Sequence, residues 1–145
     1  MRVFRTHSED ETIAVGEFLA RELPRRATVL LIGDLGAGKT TLAKGIVHGL
    51  NAARPEDISS PTFTLIHEHG RVYHVDLYRL ETAEQVAALG LDELFDRDAV
   101  VLIEWGERFP QLMPEDRMEV HLVYRGDDER EIRVLPPSIH RTGDS

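Results

Sequence analysis

Apolar residues along this chain follow two rhythms, one of period two and one of helical spacing, punctuated by glycine and proline. Val3 to Thr6 reads as a short edge strand. Ser8 with Glu11 three residues later has the form of a capping box, after which Ile13, Val15, Phe18, Leu19 and Leu23 recur at helical spacing until Pro24. Thr28 to Ile32 is β-branched and apolar and stops at Gly33, which predicts a buried strand. Gly38 to Leu50 predicts a helix with Leu42, Ile46, Val47 and Leu50 on one side, followed by a polar, proline-bounded loop, NAARPEDISSP. Thr62 to Glu68 and Arg71 to Tyr78 are β-rich around His69-Gly70 and predict a hairpin. Thr82 to Leu89 predicts a short helix ended by Gly90, Asp92 starts another, and Ala99 to Ile103 is a second fully apolar strand. Met118 to Tyr124 and Glu131 to Leu135 alternate around RGDDE as a last hairpin. That order predicts one α/β domain over residues 1–135, with a mixed parallel and antiparallel sheet flanked by helices, and a tail at 136–145.

Composition narrows the classes this pattern can serve. The 145 residues suffice for one core without cross-links, and the absence of cysteine removes disulfides and thiolate metal sites. The longest apolar run, Ala99 to Ile103, is far short of a membrane span, and MRVFRTHSEDE lacks the apolar core of a signal peptide. A cytoplasmic location is expected. The net charge of -9 argues against autonomous nucleic-acid binding through a broad basic face. Only two of the seventeen basic side chains are lysines, Lys39 and Lys44. Lys39 stands where a compact ammonium suits phosphate oxygens better than a planar fork.

The stretch that matters is GDLGAGKTT, Gly33 to Thr41, between a predicted strand and a predicted helix. It fits G-x-x-x-x-G-K-T, the P-loop, in which backbone amides converge on phosphate at a helix N-terminus. The loop Gly33, Asp34, Leu35, Gly36, Ala37 and Gly38 would wrap the phosphates. Lys39 would neutralise the β- and γ-phosphates, Thr40 would ligate Mg²⁺ and Thr41 would add a hydroxyl to the α-phosphate. The fold expected is therefore a single P-loop NTPase-like domain.

Such a loop needs carboxylates at neighbouring strand ends. Glu104 directly follows AVVLI, in the position of a metal-holding acid, and Asp76 follows VYHV. Thr62 and Thr64 in SSPTFT occupy a place where nucleotide switches use a hydroxyl to sense the γ-phosphate. Trp105 can stack near the nucleotide or cover the sheet edge. His67, His69 and His74 fit a solvated strand face better than a metal cluster, and His74 shares a face with Asp76. No N-K-x-D occurs, so ATP is expected rather than GTP.

GDLGAGKTT, SPTFTL, YHVDLYRL and LIEWGER, in that order and at these separations, resemble the TsaE (YjeE) family of small P-loop ATPases in bacterial tRNA threonylcarbamoyladenosine biosynthesis. The resemblance spans Gly33 to Arg108, about half the chain. Gly106 stands where some members have proline. It implies ATP and Mg²⁺ as cofactors, Thr40 and Glu104 at the metal, and Lys39, Asp76 and Glu104 in catalysis. It also implies Thr62 and Thr64 in a switch segment, Thr6 and Ser8 beside the base, and Glu107 and Arg130 along the nucleotide. The partner implied is the TsaD–TsaB heterodimer, with tRNA reached through that complex. A small-molecule or nucleotide kinase and a non-hydrolytic nucleotide-gated binding module share the P-loop and remain alternatives.

Overall fold

The computed structural model describes residues 1–58 and 65–137. Seven strands form one sheet: β1 (Arg2–Thr6), β2 (Ala27–Ile32), β3 (Ile66–His69), β4 (Val72–Asp76), β5 (Val100–Glu104), β6 (Met118–Gly126) and β7 (Glu129–Leu135). Their spatial order is β1-β7-β6-β2-β5-β4-β3. The inner strands β6, β2, β5 and β4 are parallel, while β7 pairs antiparallel with β6, β1 antiparallel with β7, and β3 antiparallel with β4. The mixed sheet expected from the pattern is present. The predicted tail beyond residue 137, and with it most of 136–145, lies outside the described residues.

The central strands are apolar on both faces because helices cover both. On one face α1 (Glu9–Ala20) and α2 (Lys39–Gly49) pack over Val29, Leu31, Val100, Leu102 and Val120. On the other, α3 (Ala83–Ala87), α4 (Leu91–Phe95) and two 3-10 turns at Gly106–Arg108 and Pro110–Leu112 cover Leu30, Tyr73, Val75, Val101 and Ile103. Alternation along β4 therefore sorts its side chains. Tyr73 and Val75 face the short helices, whereas Val72, His74 and Asp76 share the face of α2.

The first helix departs from the hydrophobic pattern. Its buried positions are Thr12, Gly16, Leu19 and Ala20, while Phe18 is 41% exposed and stacks edge-on against Phe4. The helix also stops at Ala20, capped by Arg21, short of Leu23. The reason is that α1 meets α2 backbone to backbone. A Cβ at Gly45 would lie 2.1 Å from the Ile13 carbonyl oxygen, and one at Gly16 would lie 2.5 Å from that of Leu42. Small residues set this approach, and they carry no signal in a hydrophobic count. At the N-cap, Ser8 accepts from the Glu11 amide at 3.1 Å, but the Glu11 carboxylate turns to the His7 amide instead of closing the box on Ser8.

Gly45→Ala replaces a poor helix former by the best one, which alone would stabilise α2 by about 1 kcal/mol. The helix contact reverses that sign: a net loss of about 1–3 kcal/mol is expected from overpacking. Urea unfolding midpoints measure it, and an unchanged or raised midpoint would contradict the close packing.

Candidate functional site

The carboxyl ends of the parallel strands β2, β5 and β4 lie side by side, and each delivers a functional segment. β2 runs into the glycine loop, β5 ends at Glu104 and β4 ends at Asp76. Asp76 and Glu104 are register partners, so both carboxylates emerge on the α2 side of the sheet. Between them and α1 opens a cleft of about 470 Å³. Its floor is Gly36, Gly38, Lys39, Thr40 and Thr41, its carboxylate wall Asp76 and Glu104, and its rim Leu35, Tyr78 and Trp105. Ser8, Glu9 and Thr12 from the start of α1 and Asp128 and Arg130 from the last hairpin close the other side.

The loop's shape is set by glycine backbone angles and by hydrogen bonds to its own carbonyls. Gly36 and Gly38 have φ of 80° and 103°, the left-handed region in which a Cβ is costly. The Ala37 amide donates to the Asp34 carbonyl at 3.0 Å. From the far side of the sheet, Arg130 donates through Nε to the Ala37 carbonyl at 3.1 Å and through Nη2 to that of Gly36 at 3.4 Å. Its guanidinium also lies over the Tyr124 ring, 4.4 Å from the centroid. A guanidinium on those carbonyls restrains the peptide planes of the loop.

Lys39 is buried, and its Nζ donates to the Gly33 carbonyl at 2.5 Å while lying 3.5 Å from the centroid of the Trp105 ring. Burial pushes this ammonium below its ordinary pKa, against the pull of Glu104, Glu107, Asp76 and Asp34. Trp105 itself has φ of 69°, in the left-handed region, and packs against Tyr78 at 5.2 Å between ring centroids. Arg108 braces the segment after β4 by donating to the carbonyls of Leu77, Tyr78 and Leu80.

The Thr40 hydroxyl donates to Glu104 Oε2 at 3.0 Å, and His74 Nε2 lies 2.7 Å from the same oxygen. Asp76 Oδ1 accepts from the Tyr78 amide at 2.9 Å. His74 therefore pairs with the neighbouring strand's Glu104, where the shared face had suggested Asp76. The His67 and His69 rings contact each other, 6.2 Å apart. Among the described residues no group of three or more His, Cys, Asp or Glu is arranged to hold a metal, and no helix is long and apolar enough to cross a membrane.

Two expected nucleotide neighbours stand outside the cleft wall. Thr6 is buried, its hydroxyl 2.8 Å from that of Thr12, which is buried too but borders the cleft where Thr6 does not. Glu107 lies in the 3-10 turn after Trp105, half-buried beneath Lys39, with Oε1 unbonded among the described residues. Gly33, Asp34 and Ala37 belong to the loop but do not line the cleft. Thr62 and Thr64 lie outside the described residues. Tyr78, Glu9, Thr12 and Asp128 were not foreseen. Thr12 had a readable signal, one helical turn after Ser8, but nothing in RGDDE singles out Asp128.

Burial raises the Glu107 pKa above its ordinary 4.5. The folded chain then binds this proton more tightly than the unfolded chain, so its ionisation destabilises the fold as pH rises from about 4.5 through the raised value. Glu107→Gln removes that dependence. The stability difference, variant minus parent, is expected to grow with pH over that interval and then level off. Urea midpoints across mildly acidic pH test this; a constant difference would refute it.

The family described as threonylcarbamoyl adenosine biosynthesis protein TsaE matches residues 6–132. A Bacillus subtilis protein named tRNA threonylcarbamoyladenosine biosynthesis protein TsaE is 40% identical over 89% of this chain and 82% of its own length. A Treponema pallidum protein of the same name is 39% identical over 89% of this chain and 96% of its own. The crystal structure of Bacillus subtilis YdiB superposes with a TM-score of 0.73 at 36% identity, over 90% of this chain and 82% of that one. The strand-end carboxylates, the glycine loop and this likeness over nearly the whole chain agree, and the chain belongs to the TsaE family, whose members serve tRNA threonylcarbamoyladenosine biosynthesis.

Proposed function

We propose that this chain is a Mg²⁺-dependent ATPase whose turnover supports formation of N6-threonylcarbamoyladenosine at position 37 of tRNA, acting through a TsaD–TsaB complex. One observation carries the reading: an ammonium, a hydroxyl and two carboxylates from separate stretches converge on a single cleft at the ends of three parallel strands. The donors beside the loop are oxygens, Thr40 Oγ1 and the Glu104 and Asp76 carboxylates, which is the set Mg²⁺ prefers. Thr40 and Glu104 would hold the ion; when bound, it supplies charge neutralisation across the β- and γ-phosphates.

The chain's own groups divide the remaining work. Loop amides and the N-terminus of α2 bind the phosphate oxygens. Lys39 stabilises the charge that builds on the bridging and γ-oxygens. Asp76 orients a water whose oxygen bonds to the γ-phosphorus as the bond to the β–γ bridging oxygen breaks, and it takes up the water's proton. Arg130 lines the cleft and Arg108 packs over Trp105 at its rim, but both are engaged by backbone carbonyls, so slow turnover that rises on assembly is expected. The acidic surface fits a protein that reaches tRNA through partners.

Phosphate release measured with and without TsaD–TsaB tests the reading. Asp76→Ala is expected to keep ATP binding and lose hydrolysis on the order of 10²-fold or more. Lys39→Ala is expected to fail in reconstituted tRNA modification. Fast release independent of partners, restoration by Lys39→Ala, or label passing to a small-molecule acceptor would each overturn it.

A further inference from the structure

We infer that His74 is a positioning residue that fixes the Glu104 carboxylate for a divalent cation, an inference that rests on the reading of Thr40 and Glu104 as the Mg²⁺ ligands. His74 sits in the middle of β4 with no exposed surface. Its neighbours on that face of the sheet are Val72 and Asp76 on its own strand, Leu102 at its register position on β5 and His67 at its register position on β3. The imidazole makes one hydrogen bond, Nε2 to Glu104 Oε2 at 2.7 Å, and its Nδ1 has no partner among the described residues. An unsatisfied buried nitrogen costs about 1–3 kcal/mol. Packing therefore does not account for histidine here; the bond to Glu104 does.

The geometry says what that bond achieves. A metal-binding carboxylate only accepts hydrogen bonds, so the ring nitrogen facing it carries the proton. Oε2 takes both donors, His74 and Thr40, leaving Oε1 as the oxygen available to a cation. Thr40 belongs to the P-loop helix and its hydroxyl must also serve the ion. His74 belongs to the sheet and does not depend on the loop, so it holds the carboxylate rotamer whichever way Thr40 turns. Outer partners of this kind commonly change metal affinity by about 10–100-fold when removed.

Two amide substitutions separate this role from packing. His74→Gln places its amide nitrogen close to where Nε2 sits, whereas the amide of His74→Asn ends near Nδ1 and falls short of Glu104. ATPγS affinity would be measured by calorimetry in EDTA and across a Mg²⁺ titration. The Gln variant should need about the parent's Mg²⁺ concentration for half-maximal tightening. The Asn variant should need about 10–100-fold more, with affinity in EDTA unchanged. Should the Asn chain fail to fold, His74→Leu, which packs beside Val72 and Leu102 without a polar atom, takes its place with the same expectation. Equal Mg²⁺ dependence in all variants overturns the inference alone, as does an equal loss with and without Mg²⁺. A parent chain that binds no ATPγS overturns the ATPase reading together with it.

Discussion

A carboxylate at the end of a strand buried on both faces must find hydrogen-bond donors, and Glu104 finds two. Thr40 reaches it from the first turn of α2 and His74 from the adjacent strand β4. The single oxygen Oε2 thus joins the helix that carries the phosphate loop to the two strands that carry the acids. This junction requires α2 to lie close over the sheet. The packing of α1 onto α2 through Gly16 and Gly45 secures α2 from its other side. Site geometry and helix packing are two consequences of one constraint, the position of α2.

The electrostatics of the cleft follow from the same crowding. Lys39 is a buried cation surrounded by Glu104, Glu107, Asp76 and Asp34, in a chain of net charge -9. A bare triphosphate entering there meets one ammonium and several carboxylates, and repulsion offsets much of what the loop amides gain. A nucleotide arriving with a divalent cation reverses that balance, because the carboxylates that repel phosphate attract the metal. In the proposed ATPase the acids are therefore not incidental; they would make the cleft selective for a metal-bound nucleotide.

How much of this was legible depended on chain distance. The glycine loop, Lys39 and Thr40 are contiguous, so their geometry is local and their pattern readable. Glu104 and Asp76 were legible as strand ends, because an apolar run that stops at an acid marks the edge of a sheet. The His74 contact was not. Its partner lies 30 residues away on a parallel strand, and register between such strands depends on the whole sheet. Arg130 reaches the loop from 93 residues away, which no spacing within a motif encodes. The buried face of α1 was misread because glycine contributes contact by what it lacks. Hydrophobic periodicity selected Phe18, but the approach of two backbones selected Gly16.

Lys39 and Trp105 show how the loop meets a requirement of its own. A buried ammonium needs partners, and the Gly33 carbonyl and the indole face provide them. A cation over an indole contributes about 0.5–2 kcal/mol, and the left-handed backbone at Trp105 costs about 1–3 kcal/mol. The two magnitudes are comparable, so the ring is held over Lys39 at little net gain. The contact keeps the lysine ordered without anchoring it. In the proposed ATPase, phosphate oxygens, which offer full negative charge, would then draw the ammonium away from the ring at small cost. A stronger partner, such as a direct ion pair to Glu104, would compete with that phosphate for the lysine.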